Sequence, residues 1–555
     1  MKNIIFTSLV LLIFLVSNLV MAQQPFNTDI TILNDSIPDF QVNKNTGPNG
    51  ADQRRPYACE SVKINSGLAQ LFVDDFLIDE GINLKRTLHQ PRKDNGGNFP
   101  ILKLEDEFKG YGATLLANGT IVYDPRLKKY VMFAEAFSKH KKEIGQDQIW
   151  DCARLYRFTS KDGINWIKGD DGCPQLLWPL SKEDLKVSKS RLQARNIDLF
   201  SCYYDTKDKK YPYKGLLWFD YWDEELECAR LMRSTDGINW ECGKIIIQGF
   251  SRIIYQDGRV MSGPRDVTFF YHDPVEDRFL AMMKFMSKEP VEYDNQLRSR
   301  AYAFLEKIDE PFDTNQITHI ELLPPAAETN GDMPYDQYYS STGWRYESLW
   351  LGTLKIWHAE GDYPFSAAGC AFFKLLVSRD GLHWEKVQFP NDDGIPEVFI
   401  PNGVEGGNNG RNDGGYMTDF TQGPLRIGDE LIYYYGCSSY GKNQPKEMNH
   451  WGGGIFRSRL RLDGFVSVDG GVLTTKPLSF KGRNLFVNGM GPILVEVLDV
   501  FGKRLGSSEI IGDSLHHKVR FDGKSLRKLS QHRPARLRFT VYKSGELYSF
   551  MVGKP

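Results

Sequence analysis

The chain has 555 residues, more than one ordinary domain holds. Its 69 basic and 71 acidic residues nearly cancel, which excludes both the basic field of a nucleic-acid binder and an acidic, solvating tail. Aromatic residues reach 13 %, enough to fill cores or to stack on sugar rings; composition does not separate those uses.

In chain order, residues 1–22 read as a cleaved signal peptide. Lys2 is followed by an apolar run from Ile4 to Val20 and a small-residue end at Met21-Ala22. No later stretch approaches the ~20 apolar residues of a membrane span. The expectation is an exported protein, periplasmic or extracellular. Residues 23–66 are polar and aperiodic, an N-terminal extended segment.

From 67 to 471 the chain repeats. Ser160-Lys161-Asp162-Gly163-Ile164-Asn165-Trp166 returns as Ser234-Thr235-Asp236-Gly237-Ile238-Asn239-Trp240 and as Ser378-Arg379-Asp380-Gly381-Leu382-His383-Trp384. Each copy follows a strand-like run, and Asp-Gly marks a hairpin because Gly takes positive φ without steric cost. The three Asp-Gly pairs stand one and two steps of roughly 73 residues apart, too long for a WD40 blade. That step predicts degenerate copies at Lys307–Phe312 and at Leu462-Asp463-Gly464-Phe465. A second motif, an aromatic or apolar strand, an Asp turn and another such strand, recurs around Asp124, Asp205, Asp273 and Asp429. Five units with room for four antiparallel strands each predict an all-β fold: a five-bladed β-propeller, with the repeat tryptophans as core anchors. Residues 472–555 carry short alternating strands and predict a small β-sandwich.

The eight cysteines show no metal-ligand spacing. Local spacing allows Cys152 to pair with Cys173 and Cys228 with Cys242; buried thiols in strands are the alternative reading.

In a propeller the innermost strands converge on a channel, so chemistry is expected where blades begin. The candidate openings are Arg195-Asn196-Ile197-Asp198, Gly263-Pro264-Arg265-Asp266, Arg345-Tyr346-Glu347-Ser348 and Tyr416-Met417-Thr418-Asp419. The first unit shows no acid there, although Asp106 and Glu107 lie just before it. Carboxylates from successive blades suit glycosidic cleavage, which needs one acid for the leaving oxygen and one carboxylate to attack or to activate water. Like charges crowd, which keeps the acid protonated.

The order Asn-x-Asp, Arg-Asp, then an acid before an aromatic-rich strand is similar to the five-bladed glycoside hydrolases of families 32 and 43. Arg265-Asp266-Val267 resembles the Arg-Asp-Pro motif of family 32, with Val267 for Pro. Tyr346-Glu347-Ser348 resembles the Glu-Cys motif, with Ser348 for Cys. Arg195-Asn196-Ile197-Asp198 resembles a degraded nucleophile motif. The resemblance implies Asp198 as nucleophile or general base, Glu347 as general acid and Asp266 as transition-state stabiliser oriented by Arg265. Asp106 or Glu107 is the alternative first acid. Arg195, Trp344, Arg345, Tyr346, His358 and Asp419 are candidate substrate-binding residues. The expected partner is a poly- or oligosaccharide. No motif implies an organic cofactor or a metal; a structural Ca²⁺ would leave no spacing signature.

Three rival readings arise from the same residues. Arg195, Arg265 and Arg345 at successive blade openings fit a sialidase-like hydrolase of an acidic sugar, or a phosphorylase. A propeller that has lost one acid would bind carbohydrate without turning it over.

Overall fold

The computed structural model describes residues 61–103, 113–138, 153–167, 175–178, 196–221, 226–249, 251–254, 260–287, 298–324, 336–358, 369–390, 397–441 and 454–554. The proposed signal peptide and the extended segment to residue 60 lie outside them, as do Cys59, Cys152 and Cys173.

Five antiparallel sheets form a five-bladed β-propeller. Blade 1 runs from Ala113–Asp124 to Gln175–Trp178 and blade 2 from Asn196–Tyr204 to Trp240–Gln248; blade 3 has Val260–Asp273, Arg278–Ser287 and Arg298–Leu305 as its first three strands, with Ser251–Ile254 paired to the start of Val260–Asp273. Blade 4 runs from Asp336–Tyr346 to Glu385–Lys386, with Val398–Ile400 added at its edge. Blade 5 holds Met417–Thr418, Leu425–Ile427, Glu430–Cys437 and Gly454–Arg461. Its outer strand comes from the chain ahead of blade 1: Arg92–Lys93 and Leu102–Lys103 pair with Gly454–Arg461 and close the ring. Asp94 clamps that closure through Arg457 at 2.6 Å and Arg459 at 2.9 Å.

The repeated Asp-Gly turn closes the end of the third strand of its blade. Asp162 Oδ1 accepts from the backbone N–H groups of Ile164 (2.9 Å) and Asn165 (2.8 Å), while Ser160 Oγ accepts from Gly163 N–H (2.9 Å). Asp236 and Asp380 repeat this. Gly163, Gly237 and Gly381 have φ of +71°, +73° and +85°, where a Cβ would be strained. The tryptophan after each turn reaches the preceding blade around the ring. Trp166 donates to Tyr434 of blade 5 (2.9 Å), Trp240 meets Phe133 of blade 1 edge-on, and Trp384 stacks on Tyr302 of blade 3. Apolar cores therefore lie between blades, as the clusters joining blades 2 and 3 and blades 3 and 4 show.

The chain from Val466 to Val552 builds a nine-stranded sheet around its own core of Leu473, Val495, Leu537 and Phe550. Two of its strands come from the segment that the repeat boundaries assign to the propeller: Ala69–Leu71 pairs with Glu546–Val552, and Ile78–Leu88 with Val466–Thr475. Phe72 and Leu77, between the two strands, join this sheet's core, whereas Ala69, Leu71 and Leu88 pack into the core of blades 4 and 5.

Cys228 and Cys242 do not bond. Strand register sets Cys228 opposite Gln248 and Cys242 opposite Met232, and both are free thiols. No described helix is long and apolar enough to cross a membrane.

Candidate active site

In blades 1, 3 and 4 the strand paired with the inner strand carries one position that recurs. Its seventh residue is Glu135 in Lys129–Ser138, Lys284 in Arg278–Ser287 and Lys355 in Leu349–His358. All three are buried in otherwise apolar strands, where a charge is costly unless it has a partner. Each points into the same end of the ring, and the partners lie on the inner strands.

Asp198 and Asp266 occupy matching places on the inner strands of blades 2 and 3. In both, the strand register breaks at the carboxylate, between Asp198 and Phe200 and between Arg265 and Phe269. In both, the next residue is left-handed: Leu199 at φ +55° and Val267 at φ +59°. A β-branched residue rarely adopts that conformation, and strain of this kind gathers at functional sites. The bulge turns the carboxylate toward the ring centre.

Register places further acids beside them. Asp198 pairs with Trp218, and Asn196 with Asp220. Cys228 pairs with Phe219, so Glu227 falls next to Asp220. Asp198, Asp220 and Glu227 thus share the face of blade 2 that meets blade 3. There Arg265 pairs with Lys284, whose ammonium bonds Asp266 Oδ1. Across the ring, Lys355 Nζ lies 3.2 Å from Asp419 Oδ2, which also accepts from Ser340 Oγ at 2.5 Å. Asp419 Oδ1 is buried with no hydrogen-bond partner.

The acids separate electrostatically. Burial pushes the Asp198 carboxyl well above its ordinary range, and the charges of Asp266 and Asp220 push the same way against Lys284 and Lys355. Burial and the Asp198 charge raise Glu135, although its carboxylate accepts from Leu199 N–H at 2.5 Å. Glu227 is pushed up to about 8 by burial and then by Asp266. Asp266 has the Lys284 ammonium in direct contact.

An aromatic wall flanks the acids. Tyr339 meets Trp357 and Tyr416 edge-on at 5.5 and 5.7 Å, and Lys355 lies 4.9 Å from the rings of both tyrosines. At the same end of blade 4, Asp336 Oδ1 lies 2.8 Å from His358 Nδ1.

The structure brings Asp198, Asp266, Arg265, Asp419 and His358 to this end of the ring. It does not bring Glu347. Asp336–Tyr346 is the inner strand of blade 4 and starts at the site, so Glu347 lies on the hairpin at its far end. That is about 23 Å of strand beyond Ser340 at ~3.3 Å per residue. Glu347 Oε2 accepts from Ala69 N–H of the nine-stranded sheet at 2.9 Å, and Oε1 lies 3.2 Å from Arg426. Its neighbours leave the site for the same reason. Arg345 pairs with Asp273 and Glu276, both at 3.1 Å. Tyr346 donates to Asp463 at 2.6 Å, and Trp344 is core. Arg195, Asp106 and Glu107 lie outside the described residues.

Sequence reasoning missed Glu135, Asp220, Glu227, Lys284, Asp336 and Lys355. A single charge inside an apolar strand, as in Phe279–Ser287, was the available signal for the two lysines. Among the described residues no group of three or more His, Cys, Asp or Glu is arranged to hold a metal ion. Two cavities of about 770 and 720 Å³ are lined by other residues: the first by His89, Asp429, Arg461 and Tyr548, the second by Asp74, Arg86, Glu321, Tyr338 and Trp384.

No family model and no curated protein matches the chain. Solved structures similar to it are glycoside hydrolases with propeller folds. A family 43 arabinoxylan arabinofuranohydrolase from Bacillus subtilis is 9 % identical, with 83 % of this chain and 100 % of that one covered and a TM-score of 0.35. A fructofuranosidase from Schwanniomyces occidentalis is 11 % identical, with 83 % and 99 % covered and a TM-score of 0.37. A family 117 glycoside hydrolase from the marine bacterium Zobellia galactanivorans is 10 % identical, with 68 % and 89 % covered and a TM-score of 0.33.

Proposed function

We propose that this chain is an exported glycosidase that hydrolyses a glycosidic bond in a poly- or oligosaccharide at the Asp198–Asp266 end of its propeller. One observation carries the reading. Two carboxylates on adjacent inner strands are presented by the same strained bulge; burial and neighbouring carboxylates raise Asp198, while Asp266 is ion-paired with Lys284. Asp266, ion-paired with Lys284, is the anionic member that attacks the anomeric carbon or takes the proton from water. Asp198, held protonated, gives its proton to the leaving oxygen as the bond breaks. The roles differ from those the family resemblance implies, because Glu347 is remote from both.

The test is turnover of plant and algal polysaccharides and of aryl glycosides by the mature chain, beside Asp198→Asn and Asp266→Asn. Turnover lost in both variants supports the reading. No turnover on any substrate, with sugar binding equal in all three proteins, would replace it with a binding propeller.

A further inference from the structure

Arg300, on the third strand of blade 3, is fully buried, and every group its guanidinium touches is neutral. Nε donates to Ser341 Oγ at 3.1 Å and one terminal nitrogen to the Tyr339 carbonyl at 3.2 Å. The other donates to the Val267 carbonyl at 2.9 Å and the Met282 carbonyl at 3.0 Å. Burial lowers its pKa to about 10, so it stays charged at neutral pH. A buried cation without a carboxylate in contact is an expensive way to join two blades; an apolar side chain of similar volume often serves stability as well or better.

The bonded groups explain its presence. Val267 is the left-handed residue directly after Asp266. Tyr339 is the bulged residue of blade 4, where the register slips between Tyr338 and Ser340, and its ring walls the site. Met282 is the cross-strand partner of Phe269, where regular pairing resumes after the Asp266 bulge. One planar fork therefore ties the distorted segments that present a carboxylate and an aromatic ring from neighbouring blades.

We infer that Arg300 is a positioning residue: it holds the Asp266–Val267 bulge against the Tyr339 bulge, and so sets the direction of the Asp266 carboxylate. Its catalytic consequence rests on the glycosidase reading; its effect on the backbone does not.

The test uses the full mature chain with Arg300→Met and Arg300→Lys. In Arg300→Met, hydrogen–deuterium exchange should rise about tenfold or more in peptides spanning 263–270 and 337–341, with peptides of blades 1 and 5 unchanged. The melting temperature should hold or rise. On any substrate the wild type cleaves, kcat should fall roughly 10- to 100-fold with KM within about twofold, and the Lys variant should recover part of kcat. Unchanged exchange in the two bulges would overturn the inference, as would a lower melting temperature with kcat per folded molecule intact. If Arg300→Met does not fold, Arg300→Lys carries the same readouts, with a smaller shift in the same direction. A wild type that cleaves nothing would count against the glycosidase reading alone, because the exchange arm is decided without turnover.

Discussion

The two ends of the propeller carry acids on the same inner strands, yet treat them oppositely. At the hairpin end, acids serve turns. Asp124 is partly desolvated, which alone would raise it, but hydrogen bonds from Tyr213, Arg126 and backbone N–H groups hold it below the usual carboxylate range. Asp205 is lowered likewise: Lys214 and backbone donors outweigh burial. At the bulged end, buried Glu135 and Glu227 and half-buried Asp198 lie beside other acids, and all are raised. At the turns backbone and side-chain donors outweigh burial; at the bulges the Leu199 N–H donates to Glu135, but burial and neighbouring carboxylates outweigh it. An acid on a propeller strand therefore takes its role from the end it occupies. Glu347 sits at the hairpin end and, although burial raises it, is engaged by Ala69 N–H and Arg426.

The largest effect that would sharpen this comparison is at the bulged end. Asp198→Asn and Asp266→Asn should each lower kcat by roughly 10²- to 10⁴-fold. Asp198→Asn should leave the melting temperature equal or higher, since it removes a carboxyl crowded by like charges. Kinetics and calorimetry on the same preparations check both. Trp384→Ala removes a ring stacked between blades 3 and 4 and should cost about 3–5 kcal/mol in denaturant unfolding.

Glu227 offers a third test, because its pKa of about 8 exceeds the ~4.3 of an unfolded Glu. Between these values the unfolded chain has released a proton that the folded chain keeps. Folding stability should therefore fall as pH rises from about 4.3 to about 8, by on the order of 1 kcal/mol per pH unit for this group. Glu227→Gln should flatten that slope; an unchanged slope would mean that Glu227 ionises normally. The smallest effect belongs to the hairpin end. Tyr346→Phe loses the hydrogen bond donated to Asp463 Oδ1 and the one accepted from Asp463 N–H, and should cost roughly 1–3 kcal/mol while kcat stays within about twofold.

The blades were legible because their marks are local. Ser, Asp and Gly of the repeat bond one another or their own turn within a few residues, with Trp at a fixed offset, so chemistry and spacing are visible together. The sandwich-like C-terminal strands were visible, but not the two strands that 69–88 contributes, because that pairing spans almost the whole chain. Asp198 and Asp266 were legible as acids at strand openings. Glu347 was misplaced because a short motif outweighed the repeat: Tyr346-Glu347 stands where Tyr123-Asp124, Tyr204-Asp205 and His272-Asp273 stand, at the first hairpin of a blade. A lone charge in an apolar strand marks Lys284 and Lys355 locally, but which groups they and Glu135 meet depends on strand register, and Arg300's partners depend on two bulges in neighbouring blades.

The central claim is that chemistry resides at the bulged end and not at the hairpin end. Its most direct test is kcat on one cleaved substrate for Asp266→Asn and Glu347→Gln, measured side by side. The account predicts that Asp266→Asn loses at least about a hundredfold while Glu347→Gln stays within about twofold of wild type. The reverse, with Glu347→Gln inactive and Asp266→Asn active, would contradict it.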